Sequence, residues 1–600
     1  MRRLDDAQLP PALLPVTEHL RQQRGAVTSP SVWIEWPDST LSISIDVHVA
    51  GNGSFPNTSR WHLVISRESF AASIDFYPDS ESGPSITYPH QNAVGEETSR
   101  RPWRDGDPCL GSPRDAWGER LGGTSEPSDL ADRLIWMLRR FELWCLAAGK
   151  DRLHLPGDHF EMPALPGSRA RTCVGFFETT ENLSHWLEIE ENAGFASLTD
   201  VSSFGRALAV QDWRSFSGEI LAAPDWGTTI SSASPAGIPC VWLRLSSLPI
   251  IGAWQLPRTY AELNNCLDKD GHDLGDIFVT LGRSMRRVGD TGLAMLMMGF
   301  PIPSKFGSEN ERIHWIGIQD IPLKRRKSYL KGFRNNDKSR EYLDRHLASS
   351  RNQLAWVKCE NWAPDQVRSR LHQPQAMVDP LVLLIGAGSL GGHVADSLAR
   401  SGITRIEVQD PDILLAGNLC RHVLDQADIG KHKATALADR LNRSQPDIRA
   451  RSSVSSFPDR LRSDRPYDEY DVILDCSGEN SVLRAIGKFP WTREKIFVSL
   501  SVTWAAKGLL SWSSDGTALP AAYVIDRFEK LIEMQGDVVD RTEIMEGIGC
   551  WHPVFPANPA DVQLWASIGA RFCLETISSR EDRCGIHKFD DHGGIEYVRA

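Results

Sequence analysis

Short runs of alternating apolar and polar residues dominate the first part of the chain. Three of them, Val32–Trp36, Leu41–Ile45 and Trp61–Ile65, are separated by turn-forming Pro, Asp, Gly and Asn residues and predict an antiparallel meander. Further along, apolar residues recur at steps of three and four through Leu130–Cys145, which predicts an amphipathic helix whose start is capped by Ser128 with Asp129. The first segment is therefore predicted to be an α+β domain.

The middle of the chain mixes strand-like and helical patterns. The runs Cys240–Leu245 and Trp315–Ile318 predict strands among helical stretches, so we expect a mixed α/β domain, to which the sequence assigns no chemistry. The most polar run, Lys324–Arg340, carries basic residues interleaved with Tyr329 and Phe333. Such a run either contacts a phosphate backbone or forms a solvated helix or linker.

From about residue 366 the pattern changes to strand, glycine-rich turn, helix and strand, which is typical of a parallel α/β sheet. The buried strand Leu381–Ile385 runs directly into the turn Gly386–Gly391. Glycines there let backbone amides at a helix N-terminus approach phosphate oxygens. The next strand, Ile403–Val408, delivers Asp410, a carboxylate placed to accept ribose hydroxyls. Taken alone, these residues indicate either NAD binding or a glycine turn without a ligand.

Cations beyond the second strand change this interpretation. A polar and basic cluster lies there, made of Asn418, Arg421, Lys431 and Lys433. The cluster favours a triphosphate over a dinucleotide, because Arg and Lys offset the negative charge on phosphate oxygens and on a leaving pyrophosphate. The next buried strand ends in DCSGEN, which begins at Asp475. Its carboxylates are expected at the carboxyl edge of the sheet, where Mg²⁺ would be held.

Five motifs in order, GAGSLG, VQDPD, NLCRH, DIGKHKA and DCSGEN, resemble the adenylation domain of the ubiquitin-activating superfamily, including its ThiF and MoeB branch. The resemblance covers residues 366–600. It implies a Rossmann-like domain that binds ATP and Mg²⁺ and adenylates the C-terminal carboxylate of a protein. Carried over by position, it places the phosphates at Gly386, Gly388 and Gly391, the ribose at Asp410, and the triphosphate at Asn418, Arg421 and Lys433.

The magnesium position departs from the family pattern. The family usually has Asp-Asn where this chain has Glu479-Asn480, with one extra residue before it, and Arg484 keeps the register. The resemblance therefore assigns the magnesium role to Glu479, with Asp475 as the alternative.

A loop cysteine extends the resemblance. In activating enzymes of this superfamily such a cysteine attacks the acyl-adenylate to form a thioester, and Cys550, in the loop Gly547–Pro553, matches it. The alternative is an inert buried cysteine. Of the competing cysteines, Cys573 is expected in the core, on an apolar helix. Cys584 and His587 have the spacing of half a metal site, but no second half is visible in the sequence.

The first segment resembles a ubiquitin-conjugating enzyme domain. There the family pattern is His-Pro-Asn followed by a Gly-x-Cys-Leu-like site, and this chain has Tyr88–Asn92 followed by Asp105–Leu110. The resemblance makes Cys109 the acyl carrier, the alternative being a loop cysteine without a role. Gln91 replaces the proline, and Asn92 lies about twice the usual distance before Cys109, so its role as an oxyanion donor stays open.

Together these segments predict three parts: a conjugating-like domain (1–160), a middle domain of unknown role (161–365) and an adenylating domain (366–600). This order is similar to the fused activating and conjugating enzyme of bacterial CBASS antiphage operons. The resemblance implies transfer from Cys550 to Cys109 and on to an amine, a cyclic-nucleotide synthase as the substrate, and a homodimer through the adenylation domains. The alternatives are a small ubiquitin-like substrate, a sulfur-carrier adenylyltransferase of the ThiF or MoeB kind, a non-catalytic nucleotide-binding scaffold, and an NAD oxidoreductase.

Composition and charge narrow the binding partners, the cellular compartment and the metal chemistry that the sequence allows. The net charge of −12 argues against a protein that coats nucleic acid or an anionic membrane. No signal peptide and no apolar run of membrane-spanning length is present, and the 11 cysteines include no CxxC pair. We therefore expect a cytoplasmic protein with reduced thiols and without a cysteine zinc site.

Overall fold

The computed structural model describes the chain except for residues 23–24, 30, 52, 67–72, 96–100, 112–125, 168–171, 203–206, 289–293, 324–335, 370, 372–378, 460–466, 535–556 and 591. The described residues divide into two compact units. The first unit holds residues 1–224 and 235–361, and the second holds residues 225–234 and 362–600. None of the helices that the structure describes is long and apolar enough to cross a membrane.

The strands of the described residues form three sheets. In chain order they are β1 (Arg2–Leu4), β2 (Val27–Thr28), β3 (Trp33–Glu35), β4 (Leu41–His48), β5 (Thr58–Ser66), β6 (Ser73–Pro78), β7 (Cys173–Phe176), β8 (Ala193–Asp200), β9 (Ala207–Arg214), β10 (Ile220–Ala222), β11 (Cys240–Arg244), β12 (Met295–Pro303), β13 (Asn310–Gln319), β14 (Ala355–Asn361), β15 (Val382–Ile385), β16 (Ile406–Gln409), β17 (Arg451–Ser453), β18 (Val472–Asp475), β19 (Lys495–Val502), β20 (Gly508–Gly516), β21 (Arg583–Phe589) and β22 (Ile595–Arg599).

The helices lie between and around these strands. They are α1 (Leu14–Arg21), α2 (Leu130–Gly149), α3 (Asn182–Glu188), α4 (Thr228–Ser231), α5 (Tyr260–Leu267), α6 (Leu274–Val288), α7 (Asp337–Leu347), α8 (Pro364–Val367), α9 (Ser389–Arg400), α10 (Lys433–Ser444), α11 (Asn480–Lys488), α12 (Ala521–Met534) and α13 (Pro559–Ser579).

The first sheet is the predicted meander. Its six strands run in the order β1-β3-β4-β5-β6, with β2 paired to β4, and every pairing is antiparallel. Helix α2 packs on it through Phe141, whose ring stacks on Phe76 with centroids 4.3 Å apart. Asp129 caps α2 as predicted, because its side chain accepts from the backbone of Ala131 and Asp132. The predicted α+β segment is confirmed.

The second sheet belongs to the middle of the chain and closes on itself. Its strands follow the order β10-β9-β7-β14-β13-β12-β11-β8, and β8 pairs with β9 as well as with β11. Trp186 of α3 packs in one buried cluster with Trp213 of β9 and Trp315 of β13. The buried carboxylate of Glu178 accepts hydrogen bonds from the indoles of Trp186 and Trp315, and burial raises the pKa of Glu178 to about 7.

Of the basic run Lys324–Arg340, residues 324–335 lie outside the described residues.

The third sheet is the predicted parallel α/β sheet. Its order is β17-β16-β15-β18-β19-β20-β21-β22, with parallel pairing from β17 to β19 and antiparallel pairing beyond. Val382 and Leu384 of β15 join the core under α9, α10 and α13, whereas Leu383 and Ile385 join the core under α11 and α12. Helices therefore cover both faces of the sheet. The strand order reverses between β15 and β18, which is where such folds bind ligands.

Candidate functional site

The glycine turn after β15 is fixed by close backbone contacts. Gly386 has φ +97°, and a Cβ there would lie 2.8 Å from the backbone of Ser477. A Cβ on Gly391 would lie 2.0 Å from the carbonyl oxygen of Gly386. Gly388 differs, since a Cβ there meets nothing within 4 Å and the residue lines a cavity. Gly386 and Gly391 are thus required by the fold, while Gly388 leaves space beside the N-terminus of α9.

Asp410 is held against this turn. Its Oδ2 accepts a hydrogen bond of 2.6 Å from the backbone N–H of Ala387, and its Oδ1 accepts one of 2.8 Å from Asp412. Burial raises the pKa of Asp410. A carboxylate offers about four acceptor positions, so these two bonds orient Asp410 and leave capacity for hydroxyl donors.

His422 is a residue that the sequence analysis missed. Its Nδ1 accepts from the N–H of Leu424 at 3.1 Å, so Nε2 carries the proton and donates to the carbonyl oxygen of Ala387 at 2.8 Å. Burial lowers the pKa of His422, which keeps the ring neutral. Ala387 therefore joins Asp410 and His422 through its two backbone groups. The only signal in the sequence was the position of His422 directly after Arg421.

A cavity of about 300 Å³ opens at the carboxyl ends of β15, β18 and β19. Arg421 brings a positive charge to its lining. The other lining residues are Gly388, Ser389, Leu390, Cys476, Ser477, Gly478, Leu500, Ser501, Val502 and Val562. The arrangement combines backbone amides, hydroxyls and a guanidinium, which suits a phosphorylated ligand.

The remaining predicted phosphate residues lie in neighbouring segments. Lys433 is the first residue of α10, and its Nζ lies 2.9 Å from Oδ2 of Asp412. The side-chain oxygen of Asn418 accepts from the N–H of Leu415 at 3.0 Å and closes a short 3₁₀ turn. The structure thus places Arg421 in the cavity wall and ties Lys433 to Asp412, two positions after Asp410.

The two candidate magnesium carboxylates have different surroundings. Asp475 is buried, and it accepts from Ser477 Oγ at 2.6 Å and from Ser499 Oγ at 3.0 Å. Burial raises the pKa of Asp475. Glu479 is exposed at the start of α11. Mg²⁺ usually keeps several waters when it binds a carboxylate, and the exposed Glu479 leaves more room for them than the buried Asp475.

Cys109 is exposed in a loop that is fastened to the Tyr88–Asn92 segment. Its N–H donates to the carbonyl oxygen of His90 at 2.7 Å. The buried Gln91 amide donates to the carbonyl oxygen of Gly106 at 2.6 Å and accepts from the N–H of Tyr88 at 2.8 Å. Gln91, which stands where the family has proline, therefore joins both segments.

Asn92 reaches the same loop from the other segment. Its N–H donates to the carbonyl oxygen of Asp107 at 3.0 Å, and its Nδ2 donates to Oδ2 of Asp107 at 3.0 Å. Burial raises the pKa of Asp107. The fold thus brings Asn92 opposite a residue two positions before Cys109, despite their separation in sequence.

The other predicted cysteine, Cys550, lies outside the described residues. Cys573 is buried in α13, where burial raises its pKa to about 12. Cys584 lies on β21, where burial raises its pKa to about 11. Within the described part of the chain, neither Cys584 nor His587 belongs to a group of three metal-ligating side chains.

The doubly wound sheet and its glycine turn define a Rossmann-like nucleotide-binding domain of the ThiF class. The ThiF family profile matches residues 372–511, and the profile described as the Cap2 central linker domain matches residues 151–362. The chain is 36% identical over 542 residues to the ATP-dependent ubiquitin transferase-like protein Cap2 of Enterobacter hormaechei subsp. hoffmannii, covering 90% of both chains. The chain therefore belongs to the Cap2 family of ATP-dependent ubiquitin transferase-like proteins. The predicted resemblance to a fused CBASS enzyme of the transferase class is confirmed.

Two further likenesses are confined to parts of the chain. The adenylyltransferase and sulfurtransferase UBA4 of Kluyveromyces lactis is 40% identical over 100 residues, which are 16% of this chain and 22% of that protein. A crystal structure of E. coli MccB with AMPCPP and MccA matches with a TM-score of 0.27 and 16% identity, covering 45% of this chain and 73% of that one.

Proposed function

We propose that this chain uses ATP to adenylate the C-terminal carboxylate of a protein. The observation that carries the proposal is the cavity that brings together the glycine turn, Arg421 and the end of β18. In the reaction the substrate carboxylate attacks the α-phosphorus of ATP, the bond to the β-phosphate oxygen breaks, and pyrophosphate leaves with the electron pair. Gly386, Gly388 and Gly391 form the phosphate turn, and Asp410 accepts the ribose hydroxyls.

The cations act on the leaving group. Arg421 and Lys433 offset the charge that grows on pyrophosphate, and the neutral side-chain amide of Asn418 donates a hydrogen bond to the triphosphate. Mg²⁺ would screen the phosphate oxygens, with Glu479 at the sheet edge as its protein ligand.

Two thiols then carry the acyl group. The thiolate of Cys550 attacks the acyl-adenylate and releases AMP, and the thiolate of Cys109 attacks that thioester and releases Cys550. An amine finally displaces Cys109 to form an amide. The exposure of Cys109 supports its role as the second carrier, because an exchange partner must reach the sulfur.

The substrate we propose is a cyclic-nucleotide synthase, and we propose a homodimer in the cytoplasm. Membership of the Cap2 family supports this setting. The domain division 1–160, 161–365 and 366–600 is part of the same proposal. A second candidate, activation of a sulfur carrier or another small ubiquitin-like protein, is favoured by the match to the adenylyltransferase and sulfurtransferase UBA4.

The experiment is incubation of the full chain with ATP, Mg²⁺ and the product of an adjacent gene, followed by non-reducing gels and intact mass with and without thiol. We expect a thiol-sensitive adduct on Cys109 and Cys550. An adduct with a small ubiquitin-like protein and not with a synthase would select the second candidate. ATP binding without any adduct would overturn the thioester route.

A further inference from the structure

Three side chains with metal-ligating atoms meet in the first unit, outside the site described above. They are His90, His154 and Glu161, and one ligand atom from each lies within 4.8 Å of the other two. His90 belongs to the turn that accepts a hydrogen bond from Cys109, whereas His154 and Glu161 follow helix α2. The group therefore joins two separate segments of the chain.

The ring of His90 is oriented toward this group. Its Nε2 lies 3.0 Å from the carbonyl oxygen of Leu153, which only accepts, so Nε2 carries a proton. Its Nδ1 then faces Glu161, with Oε2 2.5 Å away. A carbonyl that fixes the far nitrogen of a histidine is the usual support of a metal ligand. His90 also has φ +55°, a left-handed conformation that costs free energy in a non-glycine residue.

His154 supplies a second, independent observation. Its Nε2 is shielded from solvent and has no hydrogen-bond partner among the described residues. The ring is held by aromatic neighbours, with Phe306 stacked at 3.9 Å and Trp254 edge-on at 4.6 Å between centroids. An ion pair between His90 and Glu161 would leave this nitrogen unsatisfied. A cation bound by Nε2 of His154 together with the other two side chains satisfies it.

We propose that His90, His154 and Glu161 form a binding site for a divalent transition-metal ion, with Zn²⁺ as the best match. Two imidazoles and one carboxylate are a typical zinc ligand set, whereas Mg²⁺ and Ca²⁺ prefer oxygen ligands. Zn²⁺ holds tetrahedral ligand atoms at about 2.0–2.2 Å, roughly 3.4 Å from one another, so Nδ1 of His90 and Oε2 of Glu161 move apart to admit the ion. Because the carbonyl of His90 holds the N–H of Cys109, the ion fastens the thiol-bearing loop to the segment after α2.

The test is zinc titration of the full chain, freed of metal with a chelator, in competition with a chromophoric zinc indicator. We expect one tight site in the unchanged chain and an affinity at least about 100-fold lower in His154→Ala and Glu161→Gln. His159→Ala, which removes an exposed histidine of the same segment outside the group, is the matched control and keeps the site. Glu161 is exposed, so Glu161→Gln tests the site without disturbing the core.

Cobalt substitution identifies the ligands, since the chain also has 11 cysteines. We expect a visible Co²⁺ spectrum without a thiolate charge-transfer band, and its loss in His154→Ala. Equal zinc affinity in the unchanged chain, His154→Ala and Glu161→Gln would overturn the proposal. A thiolate band that persists in both variants would place the metal elsewhere and overturn it as well.

Discussion

The Nε2–H of His422 donates to the carbonyl oxygen of Ala387, the residue whose N–H is bound by Asp410. The N–H and the carbonyl of Ala387, in the glycine turn, are therefore bound from two directions. Asp410, which follows strand β16, binds the N–H, and His422, in the loop that carries Arg421, binds the carbonyl. Motion of either support displaces the turn on which the phosphates are proposed to bind.

Replacing His422 is expected to destabilise the ThiF-family domain. His422→Ala leaves the carbonyl oxygen of Ala387 and the N–H of Leu424 without their partners, at about 1–3 kcal/mol each. Urea unfolding measures this loss as a lower free energy of unfolding in the transition of the second unit. His432→Ala, at an exposed position, is the control, and equal stability of the two variants would show that the His422 bonds contribute nothing.

Removing charge from the nucleotide site is expected to stop adenylation. Lys433→Ala and Asp410→Asn should each lower ATP–pyrophosphate exchange by about 100-fold or more, since each removes a group that acts on the phosphates or the ribose. Lys488→Ala, an exposed lysine at the end of α11, should exchange normally. Normal exchange in both site variants would refute the assigned site.

The order of the two thiols is testable by single substitutions. Cys550→Ala should prevent acyl loading of both cysteines, whereas Cys109→Ala should leave Cys550 charged. Intact mass after incubation with ATP and substrate measures both. Loading of Cys109 in the Cys550→Ala chain would reverse the proposed order of transfer.

Gln91 is expected to position the Cys109 loop. Gln91→Ala leaves the N–H of Tyr88 and the carbonyl oxygen of Gly106 unpaired, so the loop loosens and the first unit loses about 2 kcal/mol. The alkylation rate of Cys109 should rise, while Cys550 should still charge normally. Gln22→Ala, at an exposed helix end, provides the control. An unchanged alkylation rate would argue against a positioning role.

Glu178 makes the stability of the middle sheet depend on pH. Burial raises its folded-state pKa to about 7, above the ordinary 4.5, so the folded state binds a proton more tightly than the unfolded state. The contribution of Glu178 to the free energy of unfolding is fully present below about pH 4.5. It is lost, by roughly 3 kcal/mol, as the pH rises to about 7. Glu178→Gln should flatten this dependence in chemical unfolding followed from pH 4 to 8. A slope identical to that of the unchanged chain would contradict it.

The sequence predicted the strands and turns whose burial or glycine pattern is carried by a few neighbouring residues. The alternation in Leu41–Ile45 and the apolar run Leu381–Ile385 gave their strands, and the glycine spacing gave the turn, because burial of one or both faces is written into adjacent residues. The roles of Gln91 and His422 could not be predicted. Each depends on hydrogen bonds to segments that the chain brings together only on folding, and neither side chain changes the local pattern.

The closed middle sheet has a consequence for how the chain is made. Strand β7 pairs with β14, and β8 and β9 pair with each other between them in sequence. The ring therefore stays open on the ribosome until residue 361 has been synthesised, and its unpaired strands are exposed during that time. The first sheet precedes this interval and pairs only strands from residues 2–78, so it is free to fold before the middle sheet receives its last strand.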